Sequence, residues 1–119
     1  MVNSCSSSPT GPTLSSITIN VVDYPALATD GASAIVTKSG FYPVIVTRVS
    51  AGVYKTMSAK CTHEGCTVGL PINNSIQCPC HGAIFSATNG DVLRGPAISP
   101  LQTFVNTFDS SVNELTIKS

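Results

Sequence analysis

Residues 60–70, KCTHEGCTVGL, and residues 77–97, QCPCHGAIFSATNGDVLRGPA, hold four of the chain's five cysteines and both of its histidines. Cys61 and His63 make a C-x-H half-site, and Cys78 and His81 make a C-x-x-H half-site. Two such half-sites brought together offer two thiolates and two imidazoles. One tetrahedral zinc ion takes that set. So does a [2Fe–2S] cluster with both cysteines on one iron and both histidines on the other. Cys66 and Cys80 are left over, one in each patch, and a tetrahedral ion has no use for them. A zinc site with two spare thiols and a disulfide scaffold with idle histidines are the ordinary alternatives. Six soft ligands at these spacings are a far more specific signal than a lone C-x-x-C.

The rest of the chain bounds the answer. Its 119 residues predict one domain with a modest core. Six basic residues balance six acidic ones, which argues against nucleic acid or an anionic membrane surface as a partner. No apolar run approaches the ~20 residues of a transmembrane helix, so none is expected. No apolar stretch precedes the domain, so a complete signal peptide is not expected either. Residues 1–13, MVNSCSSSPTGPT, are rich in Ser, Pro and Gly without periodicity and predict a flexible leader or tether, with the domain proper over 14–119.

From Leu14 onward the pattern predicts an all-β domain. Ile17, Ile19 and Val21 alternate with polar neighbours as in a half-buried strand. SAIVTK (33–38), YPVIVTRVS (42–50) and VYKTMSA (53–59) are further strands, separated by Asp30-Gly31, Ser39-Gly40 and Ala51-Gly52 turns. VSAGVY reads as a tight hairpin. Asn73-Asn74 marks a turn, SIQC is short and extended, and GDVLRG (90–95) is a strand entered through Asn89-Gly90. The C-terminal stretch reads as strand, Asp109-Ser110 turn, strand. No segment carries a capped helical stripe, and there is no internal repeat.

CTHEGC, followed by CPCHGAIF and then GPA, resembles the Rieske iron–sulfur proteins, of the disulfide-bearing kind found in quinol-oxidising cytochrome bc and bf complexes. The likeness covers Cys61 to about Pro96. It implies a fold of antiparallel sheets with a two-loop cluster-binding subdomain over about 58–97. By position, Cys61 and Cys78 would bind the buried iron of a [2Fe–2S] cluster, and His63 and His81 the outer iron. Cys66 and Cys80 would form a disulfide. Gly95, Pro96 and Ala97 would form a proline loop over the site.

Two neutral imidazoles in place of two thiolates favour reduction. Such centres lie at roughly −150 to +300 mV, against about −400 mV for plant-type ferredoxins. Imidazole nitrogens that do not bind iron can titrate, coupling electron uptake to proton uptake. In high-potential members a serine follows the C-P-C-H-G run and a tyrosine stands two positions on, each donating a hydrogen bond to sulfur. Here those positions are Ala83 and Phe85. Without the two donors the reduced, more negative state is less stabilised, so a lowered potential is expected, suited to a low-potential quinone or a different redox partner. Ser86 is a candidate replacement donor. Glu64 is either solvated or, beside the imidazoles, acts in the same direction.

The resemblance implies a one-electron carrier rather than an enzyme. Its partners would be redox proteins, either a cytochrome b-type quinol-oxidising subunit or a c-type cytochrome, and the domain itself would be monomeric. The disulfide implies an extracytoplasmic location, in the periplasm or on the outer face of the membrane. Cys5 with its Ser/Pro-rich sequel resembles the acylated start of a bacterial lipoprotein, with an accidental thiol as the alternative. A Rieske ferredoxin serving an oxygenase is the competing function. Such ferredoxins share the look of His81 to Phe85 but usually lack the disulfide pair. A Rieske oxygenase would need a two-histidine, one-carboxylate iron site, and no third histidine is present.

Overall fold

The structure is a computed structural model, and it describes residues 16–38, 41, 43–61, 66–80, 82–95 and 99–118. Among the described residues the chain forms nine strands: β1 (Ser16–Asn20), β2 (Ser33–Val36), β3 (Val44–Ser50), β4 (Val53–Ser58), β5 (Ser75–Gln77), β6 (Ile84–Ser86), β7 (Val92–Arg94), β8 (Thr103–Asp109) and β9 (Glu114–Lys118). Two sheets result, a six-stranded one in the order β1-β9-β8-β4-β3-β2 and a three-stranded one in the order β5-β6-β7. Every pairing is antiparallel. The expected all-β architecture of antiparallel sheets is therefore present, with a six-stranded base and a smaller three-stranded sheet.

The large sheet encloses its core by bending. Its edge strands β1 and β2 lie at opposite ends of the order, yet Ile17 and Ile19 of β1 and Val36 of β2 belong to one buried cluster with Val44, Val46, Phe104, Leu115 and Ile117. β4 and β8, at the middle of the order, share only the pairs Thr56↔Phe104 and Met57↔Thr103. Beyond them, side chains take over from the backbone ladder. The buried Thr56 Oγ1 donates to the Phe104 carbonyl at 2.9 Å. Asn106 Nδ2 donates to the Tyr54 carbonyl at 2.9 Å and to Thr56 Oγ1 at 3.0 Å. Phe41 meets Phe104 edge-on, with ring centroids 5.6 Å apart.

β3 and β4 form a wall shared by two cores. Side chains alternate across a strand. Val44, Val46 and Tyr54 enter the base core. Ile45 and Met57, of opposite parity, enter a second core with Val68, Ile76, Ala83, Phe85 and Leu101. The small sheet thus sits on the back of the β3–β4 hairpin, fixed by apolar burial on both sides.

Several local expectations need correction. Val21 does not continue β1. The Asn20 side chain accepts the Val22 amide at 3.0 Å and opens a 3-10 turn over Val21–Asp23, and Pro25 starts another over Pro25–Ala28. The strand placed over 33–38 stops at Val36, and that over 90–95 is confined to Val92–Arg94. β6, unforeseen, runs through the second cysteine patch. The turn after β8 occupies residues 110–113, with Asn113 at φ +57°. Asn73 and Asn74 form a two-residue turn with both φ positive, and Ile72 and Ser75 exchange N–H···O bonds of 2.8 and 2.9 Å across it. The proposed leader and the Ser39-Gly40 turn lie outside the described residues, as does Tyr42.

Candidate metal centre

Both cysteine patches are hairpin loops, and each is closed by a backbone bond from a cysteine. In the first, β4 runs out at Ser58, whose amide donates to the Gln102 carbonyl at 2.7 Å. Ala59 then donates to the Pro43 carbonyl at 2.8 Å, and Val68 returns to the Ala59 carbonyl at 2.7 Å. Lys60 and Thr67 form a bridge, and the Cys61 amide donates to the Cys66 carbonyl at 2.6 Å. In the second, β5 delivers Cys78, whose amide donates to the Ala83 carbonyl at 2.8 Å, and the Gly82 amide donates back to the Cys78 carbonyl at 3.0 Å. Gly82 holds φ +78°, a conformation glycine adopts without penalty. A bond of 3.0 Å from the Gly69 amide to the Gln77 carbonyl ties the two loop bases together.

This construction buries two thiols in one core. Cys61 and Cys78 are each 1% exposed, lie outside any disulfide, and belong to the second core with Val68, Ile76, Ala83 and Phe85. Cys66 and Cys80 are joined in a disulfide that crosses from one loop to the other, with Cα atoms 6.6 Å apart. Cys78 is close to it, the Sγ atoms of Cys66, Cys78 and Cys80 all lying within 4.8 Å of one another. Proximity alone would group those three as metal ligands, but the disulfide removes two of them, because the thiolate is the ligand.

Ala83 and Phe85 are buried, Phe85 completely. Ser86 does not take their place. It lies on the strand face opposite Phe85, and its Oγ accepts the Thr88 amide at 3.1 Å in the turn after β6. Gly95 is exposed and follows β7, and the pairing Ile84↔Arg94 places it at the end of the small sheet from which the second loop emerges. His63, His81, Glu64, Pro96, Ala97 and Cys5 lie outside the described residues.

Sequence reading did not find the backbone closures, which engage atoms every residue carries. It also missed the Gly90 contact. Gly90, at φ +84°, donates to the Ser86 carbonyl and accepts from the Leu101 amide at 2.9 Å, and a Cβ there would fall 2.8 Å from the Leu101 carbonyl. The Asn89-Gly90 pair was the only hint of it. Among the described residues no helix is long and apolar enough to cross a membrane.

The family model described as the Rieske [2Fe-2S] domain matches residues 21–105. The chain is 46% identical over 54 residues to iron-sulfur subunit 3 of the cytochrome b6-f complex from Nostoc sp. PCC 7120, covering 44% of this chain and 30% of that one. It spans 30% to 42% of the length of the leading curated relatives, all named as iron-sulfur subunits of that complex. The crystal structure of the plasma membrane Rieske protein PetC3 from Synechocystis PCC 6803 superposes with a TM-score of 0.61 at 31% identity, covering 86% of this chain and 95% of that one. A ferredoxin from Sphingomonas yanoikuyae B1, at 23% identity with a TM-score of 0.60 over 79% of this chain and 93% of its own, shares the fold.

Proposed function

The chain belongs to the Rieske [2Fe-2S] domain family, and from that premise we propose that it is an extracytoplasmic one-electron carrier in a quinol-linked chain. The group the family implies is a [2Fe–2S] cluster. The residues present fit it. Two thiols buried to 1% at the closures of adjacent hairpin loops are soft donors shielded from water, set among small side chains such as Ala59 and Ala83. That pair, flanked by an inter-loop disulfide, is the observation that carries the reading. Cys61 and Cys78 would hold one iron, and His63 and His81 the other. When bound, the cluster takes up and releases one electron.

The protein's own residues do the rest. The Cys66–Cys80 disulfide links the two loops that carry the candidate ligands Cys61 and Cys78. The imidazoles of His63 and His81 would carry a proton on the nitrogen turned away from iron, coupling proton to electron. Gly95 to Ala97 would cover the site. The buried methyl of Ala83 and ring of Phe85 supply no hydroxyl, and Ser86 is engaged elsewhere, which supports a potential below that of hydroxyl-bearing relatives.

The partners proposed are a cytochrome b-type quinol-oxidising subunit or a c-type cytochrome, with Cys5 as the proposed point of lipid attachment. The disulfide favours an oxidising compartment. It also weighs against the second reading, a ferredoxin feeding an oxygenase, which the two missing hydroxyls favour. A redox titration followed by visible circular dichroism between about pH 6 and pH 10 separates the two. The quinol-linked reading expects a potential well above that of oxygenase ferredoxins, falling with rising pH. A value near the bottom of the Rieske range, flat until alkaline pH, moves the assignment to the ferredoxin. A colourless protein carrying one zinc overturns both.

A further inference from the structure

Cys78 stands beside a disulfide in which it takes no part. The Sγ atoms of Cys66, Cys78 and Cys80 lie within 4.8 Å of one another, and Cys78 is not itself disulfide-bonded. Disulfides exchange when a thiolate attacks one of the two sulfurs, and access limits that step. Access here is built in. Cys78 is inside the core at 1% exposure, Cys66 is half-buried against the same core, and Cys80 is exposed. From these positions we infer that Cys78 is an internal nucleophile toward its own protein's disulfide, and that occupancy of Cys78 by the cluster keeps the Cys66–Cys80 pairing in place. This rests on the reading of Cys78 as a cluster ligand.

The step balances without an added oxidant. Cys78 sulfur attacks Cys66 sulfur, the Cys66–Cys80 bond breaks, the Cys66–Cys78 bond forms, and the proton lost by Cys78 ends on Cys80. Attack on Cys66 is the productive direction. It preserves a cross-link between the loops and releases the sulfur of the more exposed cysteine. Attack on Cys80 would close a small ring with only Pro79 between the two cysteines. Commitment of Cys78 to iron makes it a poorer nucleophile. Without the cluster, exchange consumes a ligand, and the chain can no longer take the cluster up. Iron–sulfur insertion must then precede, or accompany, oxidation of Cys66 and Cys80.

The test is disulfide mapping of the protein before and after its cluster is stripped with a chelator under oxidant-free conditions, with thiols alkylated in acid denaturant. Cleavage on the amino side of Ile76 separates Cys66 from the second loop, and fragmentation between Cys78 and Pro79 distinguishes its partners. The expected result is loss of the Cys66–Cys80 cross-link, gain of Cys66–Cys78, and alkylation at Cys80. Persistence of Cys66–Cys80 overturns the proposal, as does a Cys78–Cys80 product. Cross-links to Cys61 would also overturn it, since they would make the other buried thiol of the same core a party to the exchange. In a second arm, reduced protein given iron and sulfide before oxidation should regain the visible signal, and protein oxidised first should not. Equal recovery overturns the order. Cys78→Ser separates the two readings. If that variant keeps two irons and the visible signal, the ligand assignment has failed and the guarding role with it. If it loses both but keeps Cys66–Cys80 intact, the nucleophile is confirmed as Cys78.

Discussion

The backbone amide of Cys78 donates to the carbonyl of Ala83 at 2.8 Å, which closes the second loop and fixes the buried alanine beside a buried thiol. Whatever side chain stands at position 83 is therefore held next to the candidate ligand. In the serine-bearing relatives a hydroxyl occupies this place. Ala83→Ser should raise the reduction potential, because a donor to sulfur stabilises the reduced state more than the oxidised one. If the hydrogen bond strengthens by about 1–2 kcal/mol on reduction, the rise is about 40–90 mV for one electron. Phe85→Tyr should act in the same direction, at a packing cost of about 1–3 kcal/mol in a fully buried site. Redox titration of the variants beside the parent measures both. No change, or a fall, would remove the hydroxyl argument.

The disulfide spans 14 positions of sequence and is the covalent link between the loops. Replacing both Cys66 and Cys80 by serine should lower stability by about 3 kcal/mol through the extra freedom of the unfolded chain. Because the loops that the bond joins carry Cys61 and Cys78, the larger consequence should be faster bleaching of the visible signal. Denaturant unfolding and the bleaching rate under chelator are the two measurements. A variant as stable and as slow to bleach as the parent would show that the backbone closures alone hold the site.

How much of this was legible in the sequence follows from which atoms do the work. The candidate loops stand out in the sequence because the proposed chemistry needs particular side chains, and cysteine and histidine are scarce elsewhere. The strand positions could be read where one face is wet, as in Ser16–Asn20, whose burial alternates strictly. They were harder to read at Val44, Ile45 and Val46, all buried, because β3 serves two cores and a strand wet on neither face shows no alternation. β6 escaped notice because three residues inside a metal-binding motif give no period to count. Val21 was read as strand because its apolar parity fits, but the Asn20 side chain captures the Val22 amide and turns the chain first.

Gly90 tests whether the second loop depends on packing far from its cysteines. Its positive φ and the closeness of the Leu101 carbonyl leave no room for a side chain. Gly90→Ala should cost about 2 kcal/mol or more, from backbone strain plus displacement of the Leu101 segment. Leu101 is buried in the core that also holds Cys61 and Cys78. The variant should therefore lose its cluster more readily than a base-core variant of equal destabilisation, such as Ile19→Val with a second base-core truncation. Unfolding and bleaching measured side by side would decide it, and equal bleaching at equal stability would argue against any such link.

The turn between β8 and β9 supplies a pH prediction remote from the metal site. Ser111 donates to Asp109 Oδ1 twice, through its hydroxyl at 2.6 Å and its amide at 3.0 Å. The hydroxyl bond chiefly, and then the amide bond, hold the Asp109 carboxyl below its ordinary value. A carboxyl whose pKa is depressed by folding adds stability above its unfolded pKa, and that stability is lost as pH falls through the folded pKa. Asp109 is fully solvated, so the contribution is small, and the sharper readout is the titration itself. Ser111→Ala removes the hydroxyl and keeps the amide. By NMR of the Asp109 carboxyl, its pKa should rise toward the ordinary value without reaching it. An unchanged titration would mean that the hydroxyl bond does not persist in solution. A full return to the ordinary value would mean that the turn itself had opened and the amide bond had gone too.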